Sequence, residues 1–451
     1  MSEAKTVAII GAGPVGLAAA AHVLERGLEP IVLEAGDSVG HAVRQWGHVQ
    51  LFSPWEYNID RAAARLLQST GWNSPEPGQY PTGAELLERY LEPLATKTVL
   101  ATHIRTSSRV TDISRVGFDK LKSNGREAAP FEIRYQNGQG PKIVRADAVI
   151  DASGTWHSPN PAGANGLNAV GEQQAAHKIA YGMPDVLGKD RARYASKTVA
   201  VLGAGHSAIG TLTDLAKLAA QAPKTQPIWL LRGNDPAKAF GGGANDQLVA
   251  RGELGAAFAA LVAAGRIKVE REFRVSDLTV DGSRLIVGAG GCGRKVVVDE
   301  LIVATGFRPD LDFVRELRIQ LDPAIECPVA LAPLIDPNEH SCGTVRPHGA
   351  RELAQHEPGF YLAGMKSYGR APTFLMITGY EQVRSIAAGL AGDREAAERV
   401  ELVLPETGVC NRVTALDANN CCGGPALSGV DACCVADANA KQESKTGCGC
   451  G

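Results

Sequence analysis

Two glycine-rich segments of this chain have the residue types and spacing to bind the pyrophosphate of a dinucleotide. The sequence GAGPVG at 11–16 follows the apolar run 6–10, and GAGHSA at 203–208 follows the apolar run 198–202. In this motif the first glycine permits a tight turn, the second lets the backbone approach phosphate, and the third packs helix against strand. The amino terminus of the helix then offers N–H groups to the phosphates. Two such loops predict two dinucleotides in one molecule and electron transfer between them.

The residue that ends the next strand differs between the two units. Glu34 follows Pro30–Leu33, where a carboxylate can accept hydrogen bonds from a ribose diol. In the second unit the matching residue is Arg232, whose guanidinium suits the 2′-phosphate of NADPH, with Lys238 as a second cation. A solvated surface charge is the alternative reading of Arg232. The first unit is therefore expected to hold a dinucleotide with a free ribose diol, and the second NADPH.

Composition excludes several function classes. The 451 residues carry a net charge of -3, with 44% hydrophobic and 21% charged residues, which is ordinary for a globular protein and indicates neither nucleic acid nor an anionic membrane as partner. No window offers 18 uncharged apolar residues, so no transmembrane helix is expected. The alanine run 18–21 lies directly behind the first glycine loop, and we do not interpret it as a signal peptide. The cytoplasm is the expected location.

Alternation of strand and helix patterns predicts an α/β fold with two Rossmann-like three-layer dinucleotide-binding domains. Residues 5–34 and 197–232 show strand, glycine turn, helix and strand, and 82–97 and about 373–391 show helical spacing. Short alternating strands fill 103–150, and strand-like pieces recur at 267–270, 284–288 and 296–304. The predicted FAD domain comprises 1–160 and 300–400, with an NADPH domain at 195–299 inserted in it. Residues 401–451 are predicted to be a flexible, cysteine-rich tail.

The order of four motifs resembles the two-dinucleotide-binding flavoproteins, and most closely their flavin-containing monooxygenase branch. The motifs are the first loop with Glu34, Asp151–Thr155 before a proline-rich linker, the second loop, and Ala304–Asp310 (ATGFRPD). The resemblance covers residues 5 to about 395 and implies FAD and NADPH as cofactors. The monooxygenase fingerprint F-x-G-x3-H-x3-Y is only approximated, by Val170-Gly171 followed by His177 and Tyr181. The segment 364–374 and the cysteine tail also look like flavoproteins encoded beside bacterial arsenic-resistance genes.

Cysteine placement separates the possible reactions. Flavin disulfide reductases carry a redox cysteine pair near the flavin, but residues 35–60 contain no cysteine and the predicted NADPH domain contains only Cys292. Without a dithiol, reduced flavin can react with dioxygen, and the protein then needs no nucleophile of its own. The sequence therefore favours a monooxygenase that uses NADPH, dioxygen and a small-molecule substrate.

Several residues are candidates for the surroundings of the flavin. Asn58 is the candidate catalytic hydrogen-bond donor, with a role as a turn residue as the alternative, and Trp46, Trp55 and Tyr57 either wall the ring or pack in the core. Gly364 and a helix starting near Thr373 are expected at the pyrimidine edge, with Lys366 and Arg370 as nearby cations, unless this loop serves packing alone. His177 and Tyr181 border the second cofactor or lie in a solvated linker. The expected cofactor-binding residues are Gly11, Gly13, Pro14, Gly16, Glu34, Ala35, Trp46, Gly154, Gly203, Gly205, Ser207, Ala208, Arg232, Thr305, Gly306, Gly364 and Thr373.

The tail carries closely spaced thiols. Thiolates select soft ions, and adjacent pairs do not have the C-x2-C spacing of a zinc site. They suit trigonal arsenite-like species or mercury, which makes trivalent arsenicals the expected thiophilic substrate. The alternatives are a tail with no ligand, a mobile dithiol that makes the chain a disulfide or soft-metal reductase, and a metalloid-binding protein. The predicted soft-metal ligands are Cys421, Cys422, Cys433, Cys434, Cys448 and Cys450.

Overall fold

The structure is a computed structural model that describes residues 4–241, 249–291, 293–337, 347–372 and 374–402. Thr373 lies outside the described residues, and so do all six predicted soft-metal ligands: Cys421, Cys422, Cys433, Cys434, Cys448 and Cys450. The predictions for these seven residues therefore stay predictions.

The elements alternate between strands and helices in the way the sequence predicts. The strands are β1 (Thr6–Ile10), β2 (Glu29–Leu33), β3 (Ile104–Arg105), β4 (Arg109–Arg115), β5 (Phe131–Asn137), β6 (Gly140–Ala146), β7 (Ala148–Asp151), β8 (Ile179–Tyr181), β9 (Thr198–Leu202), β10 (Gln226–Leu230), β11 (Lys268–Glu270), β12 (Val275–Asp281), β13 (Arg284–Ala289), β14 (Arg294–Val298), β15 (Glu300–Val303) and β16 (Phe360–Leu362). The helices are α1 (Pro14–Glu25), α2 (His41–Gln45), α3 (Arg61–Gln68), α4 (Gly83–Leu86), α5 (Glu92–Lys97), α6 (Arg191–Tyr194), α7 (His206–Gln221), α8 (Val249–Ala263), α9 (Ala332–Ile335), α10 (Ala350–Leu353), α11 (Met376–Leu390) and α12 (Arg394–Glu398). A π-helical turn, Leu87–Leu91, joins α4 to α5, so the predicted helix 82–97 is continuous.

The first sheet is parallel and has the strand order β16-β7-β1-β2-β3. Side chains of β1 alternate between two cores, as the period of a strand requires. Val7 and Ile9 pack with α1, α3 and α11, while Ala8 and Ile10 pack against the antiparallel sheet β4-β5-β6. Helix, parallel sheet and antiparallel sheet are therefore three layers, as predicted.

The second sheet repeats this arrangement with the order β11-β10-β9-β15-β8. Val199 and Val201 of β9 pack with α7, and Ala200 and Leu202 pack against the antiparallel sheet β12-β13-β14. The prediction of two Rossmann-like three-layer units in an α/β chain is confirmed.

The second sheet extends beyond the range 195–299 that the sequence predicts for the second domain. Strand β15, Glu300–Val303, pairs with β9, and β8, Ile179–Tyr181, pairs with β15. The boundaries at 195 and 299 therefore exclude two strands of this sheet. Pairing between distant strands leaves no local signal in the sequence, and the domain ranges themselves stay a prediction.

Small side chains let the first helix lie close to its neighbours. Ala18, Ala19 and Ala20 of α1 are fully buried between the first sheet, α3 and α11. This close packing fixes the amino terminus of α1 beside the ends of β1 and β7, where the first glycine loop lies. None of the helices in the described ranges combines the length and apolarity that a bilayer-crossing segment needs.

Candidate functional site

The first glycine loop forms a cradle with room for phosphate. Gly11 has φ +97°, and a Cβ atom there would lie 2.9 Å from the carbonyl oxygen of Ala152 at the end of β7. A Cβ at Gly16 would lie 2.0 Å from the carbonyl oxygen of Gly11, so α1 can approach β1 only without a side chain. At Gly13 no atom lies within 4 Å of such a Cβ, and no side chain caps the helix at this N-cap residue. The open space and the helix N–H groups fit a pyrophosphate.

Glu34 lies at the edge of this cradle. Its Oε2 accepts a hydrogen bond of 2.7 Å from the backbone N–H of Ala12, and its Oε1 accepts one of 2.7 Å from Gly36. These bonds fix the carboxylate beside the loop, and each carboxylate oxygen keeps a second lone pair for a ribose hydroxyl. The donor set therefore fits the adenosine half of FAD, with Pro14 at the start of α1 and Ala35 next to the carboxylate.

Two histidines near Glu34 were not singled out by the sequence. Burial, His41 and Arg109 together lower the pKa of His157, and Glu34 opposes this shift. The rings of His41 and His157 have centroids 6.1 Å apart. A lowered pKa favours the neutral form of His157, which would make this side of the predicted ribose site partly apolar. The sequence gives no signal for the pair, because residues 41 and 157 are brought together only by the fold.

A fully buried ion pair lies under the ends of β7 and β16. Nζ of Lys366 is 2.7 Å from Oδ2 of Asp151, and both side chains have 0% exposure. The Ser153 hydroxyl donates to Oδ1 of Asp151 at 2.6 Å and lies 3.1 Å from Nζ of Lys366, which donates to it. The sequence predicts Lys366 as a cation near the flavin edge, but in the structure its ammonium group forms an ion pair with the carboxylate of Asp151. The same loop begins at Gly364, where φ is +68° and a Cβ would lie 3.2 Å from Val15 of α1.

The amide of Asn58 is engaged within its own turn. Nδ2 donates to the carbonyl oxygens of Ser53 and Pro54 at 2.7 and 2.9 Å, and Oδ1 accepts from the Ser53 hydroxyl at 2.8 Å. The residue is fully buried. Both amide hydrogens are therefore used, which favours the turn role that the sequence left open over a donor to the flavin.

The aromatic residues around this turn differ in their surroundings. Trp55 is 1% exposed, and the guanidinium of Arg89 lies over its ring, 5.6 Å from the centroid. These surroundings indicate a core-packing role for Trp55. Trp46 is half-buried beside α4, and a Cβ at Gly83 would lie 2.7 Å from its ring. Trp46 thus remains the better candidate of the two for a cofactor contact.

The helix that the sequence predicts to start near residue 373 starts at Met376 in the structure.

The second glycine loop repeats the first. Gly203 has φ +135°, and a Cβ there would lie 2.2 Å from the carbonyl oxygen of Ala304. Ala208 stands where the first loop has its third glycine, and its Cβ would be 3.5 Å from one at Gly203. Gly205 faces open space and begins α7 without a side-chain cap, and Ser207 lies in the first turn of that helix. This loop also fits a pyrophosphate.

A cavity of about 470 Å³ opens on the second loop. Arg232 and Lys238 both line it with Gly203, as a site for a 2′-phosphate requires, and Thr305 lines it as well. Gly306 follows with φ +90°. His177 and Tyr181 are not among the residues that line this cavity, and the Tyr181 hydroxyl donates to Glu172 at 2.6 Å. The predicted contact of this histidine and tyrosine with the second cofactor thus finds no support in the geometry.

Residues of the first unit reach the second. The ring of Phe52, which precedes the Asn58 turn, lies edge-to-face with His206 of α7 at a centroid distance of 5.2 Å. Arg370, which the sequence placed near the flavin, lines the cavity of the second glycine loop. The chain links the two units twice, after β7 and after β15, and these two linkers also meet. The ring of Trp156 in the first linker, close to Gly154 with φ +70°, stacks on that of Phe307 in the second at a centroid distance of 5.0 Å. Side chains of the first unit therefore contribute to the surroundings of the second glycine loop.

The one cysteine within the described residues is not suited to disulfide exchange. Among the described residues, Cys327 is the free cysteine, and it is fully buried. Burial raises the pKa of its thiol to about 12, so the thiolate that disulfide exchange needs is not formed near neutral pH. The described part of the chain also holds no group of three or more His, Cys, Asp or Glu side chains that could bind a metal ion.

Curated relatives of this chain are flavin-containing monooxygenases. Human flavin-containing monooxygenase 1 is 28% identical over 221 residues, which cover 48% of this chain and 39% of the relative. The flavin-containing monooxygenase GS-OX-like 2 of Arabidopsis thaliana is 23% identical over 243 residues, with 48% of each chain covered. The matched region spans less than half the length of either relative.

Solved structures and a family model match a larger part of the chain. The bacillithiol disulfide reductase of Bacillus cereus superimposes with a TM-score of 0.63 at 20% identity, covering 86% of this chain and 99% of that one. The cadaverine monooxygenase of Erwinia amylovora superimposes with a TM-score of 0.60 at 14% identity, covering 90% and 99%. At these identities the likeness shows the fold. The family model described as pyridine nucleotide-disulphide oxidoreductase matches residues 8–330, and the chain belongs to that family.

Proposed function

We propose that this chain is an NADPH-consuming, FAD-dependent monooxygenase that acts on a small thiophilic molecule. The observation that carries the proposal is the pair of glycine cradles, with Glu34 at the edge of the first and with Arg232 and Lys238 lining the cavity of the second. Family membership and the monooxygenase relatives support an NAD(P)H-dependent flavoprotein oxidoreductase. We further propose the cytoplasm as its location.

The residues of the chain bind and orient the two cofactors. Glu34 accepts from the ribose of FAD, and the N-terminus of α1 receives its pyrophosphate. Arg232 and Lys238 hold the 2′-phosphate of NADPH while the loop that starts at Gly203 receives the second pyrophosphate. When bound, the flavin supplies hydride acceptance and the reaction with dioxygen. In the proposed reaction two electrons would come from NADPH, so that one atom of dioxygen would enter the substrate and the other would leave as water.

Oxygen chemistry is favoured over a dithiol relay by the thiol that the structure describes. Cys327 is buried, and its pKa is about 12, so it cannot relay electrons from the flavin. A reductase of the disulfide class needs two exchangeable thiols at the flavin. Such thiols would have to come from cysteines outside the described residues, which include the tail pairs beginning at Cys421.

The substrate class follows from the composition of the tail and from the resemblance to flavoproteins encoded beside arsenic-resistance genes. Adjacent cysteines favour soft thiophilic ions, so we propose trivalent arsenicals as substrates and the six tail cysteines as their ligands. A tail that carries electrons to a disulfide or to Hg(II) is the alternative enzyme. A metalloid-binding protein that does not turn over is the alternative binder.

Purified protein distinguishes these functions. NADPH oxidation is measured with and without oxygen in the presence of arsenite, methylarsenite, Hg(II) or a disulfide. The proposal expects bound FAD and substrate-stimulated NADPH oxidation that requires oxygen. After deletion of residues 406–451 the oxidation should still require oxygen but need a higher concentration of the arsenical. Oxygen-independent reduction that disappears on this deletion would establish the reductase instead. Purified protein that contains no flavin would favour the binder.

A further inference from the structure

The cavity of the second glycine loop has a cation that does not belong to the second unit. Arg370 lies in the loop after β16, a strand of the first sheet, yet it lines the cavity together with Gly203 and Arg232. One lining residue of the cavity, Arg370, therefore comes from the unit that is proposed to carry FAD. A nucleotide in the cavity would touch both units.

The backbone around Arg370 is fixed. Gly369 has φ +57°, and a Cβ there would lie 1.9 Å from the carbonyl oxygen of Ile325, so the turn requires glycine. The N–H of Arg370 donates to the same carbonyl at 2.7 Å. The guanidinium thus starts from a rigid turn, which limits the entropy that a bound phosphate would have to remove.

One carboxylate orients the guanidinium without consuming all its donors. Nε of Arg370 lies 2.7 Å from Oε2 of Glu326, and Nη2 lies 3.4 Å from Oε1. The two side chains are 37% and 33% exposed. In the described part of the chain, these bonds leave Nη1 available, and a planar guanidinium can hold a carboxylate and a phosphate at once.

The charges on the cavity suggest which phosphate Arg370 meets. The 2′-phosphate already has two full cations, Arg232 and Lys238, on the strand-end side. The pyrophosphate carries two negative charges, but the loop at Gly203 and the first turn of α7 offer it N–H dipoles and the Ser207 hydroxyl and contain no lysine or arginine. A third full cation on the opposite unit is best matched to the pyrophosphate.

We propose that Arg370 binds the pyrophosphate of the nicotinamide dinucleotide from the first unit and so couples nucleotide binding to the contact between the two units. This rests on the proposed function, since it assigns a residue to the same NADPH site. It differs from the 2′-phosphate assignment in one respect that can be measured. A pyrophosphate contact strengthens NADP⁺ and NAD⁺ equally, whereas a 2′-phosphate contact strengthens NADP⁺ alone.

The test is calorimetric titration of the FAD-loaded protein with NADP⁺ and with NAD⁺. Arg370→Ala is expected to raise both dissociation constants by about ten-fold, as loss of a charge-assisted hydrogen bond does. The NADP⁺/NAD⁺ preference is expected to stay as in the unaltered protein, and Arg370→Lys is expected to lie in between. Arg232→Ala should change the preference instead. The matched control is Arg351→Ala, which removes an 86% exposed arginine paired with Glu352 that is not among the cavity residues.

The outcomes separate this proposal from the proposed function. If the unaltered protein binds neither nucleotide, the proposed function fails. If it binds both and Arg370→Ala matches Arg351→Ala, the assignment of Arg370 is overturned while the NADPH site stands. If Arg370→Ala weakens the binding of NADP⁺ but not that of NAD⁺, Arg370 contacts the 2′-phosphate and the proposed pyrophosphate contact is overturned.

Discussion

Replacing Lys366 with methionine should destabilise the protein strongly. Its Nζ lies 2.7 Å from Oδ2 of Asp151, with both side chains at 0% exposure. Methionine fills a similar volume but leaves the carboxylate buried without its counter-charge, a change that typically costs about 3–5 kcal/mol. Folded domains are stable by only about 5–15 kcal/mol, so the loss is a large fraction of the total.

The double variant Asp151→Asn/Lys366→Met tests the reasoning directly. It removes both charges and keeps an oxygen that can accept from the Ser153 hydroxyl, which donates to Asp151 at 2.6 Å in the unaltered protein. Replacement of a whole buried ion pair by neutral groups is often close to neutral in stability. The double variant should therefore recover most of what Lys366→Met loses, with a coupling free energy of about 2–3 kcal/mol.

The measurement is urea unfolding of the FAD-loaded protein, followed by circular dichroism and flavin fluorescence. Lys217→Met is the matched control, because Lys217 is 59% exposed and its pair with Asp214 lies on the surface of α7. An exposed pair of this kind contributes about 0–1 kcal/mol. The stabilising role of the Lys366–Asp151 pair is refuted if Lys366→Met shifts the urea midpoint no more than Lys217→Met does, or if the double variant is as unstable as the single one.

Three further changes have defined outcomes. Arg232→Ala should raise the Michaelis constant for NADPH far more than that for NADH, and an equal response of both cofactors would contradict its contact with the 2′-phosphate. Burial alone would lower the pKa of His22, but the charge and hydrogen bond of Asp60 raise it to about 9. Protonated His22 therefore adds roughly 3 kcal/mol to the free energy of unfolding. This stabilisation is complete below pH 6.5 and is lost as the pH rises through about 9. Unfolding curves from pH 6 to 10 should show this decline, and His22→Gln should flatten it. Asn58→Ala should lower the unfolding midpoint by removing the donor to two buried carbonyls while NADPH oxidation stays coupled to product, and uncoupled oxidation would restore its catalytic role.

Local signals explain what the sequence could predict. A strand, a glycine turn and a helix follow one another within about 20 residues in each unit, so both cradles and their acid or arginine are visible in the chain. Gly11 and Gly203 have the positive φ that this turn requires, and Arg232 lines the expected cavity. These features depend on neighbours in sequence or on one supersecondary unit.

Contacts between distant segments explain what the sequence could not predict. Lys366 looked like a cation available to the flavin, yet it neutralises Asp151, which lies on another strand of the sheet. Arg370 was assigned to the same edge, but the fold turns it towards the second glycine loop. For both residues a partner that sequence spacing does not specify decides the role. Asn58 is a different case, because its amide hydrogens go to carbonyl oxygens only four and five residues away, and the sequence had left this turn role open.

The linkers between the two units bear on how a hydride could pass between the cofactors. Trp156 of one linker stacks on Phe307 of the other, and its indole N–H donates to Gln45 of α2 at 2.7 Å. Asn160 Nδ2 donates to the carbonyl oxygen of Thr305 at 3.1 Å, which joins the same two linkers again. Rotation of one unit against the other would have to break aromatic stacking and these hydrogen bonds together. The contacts between the linkers therefore oppose rotation of one unit against the other, and a hydride transfer that needed a large domain movement would first have to break them.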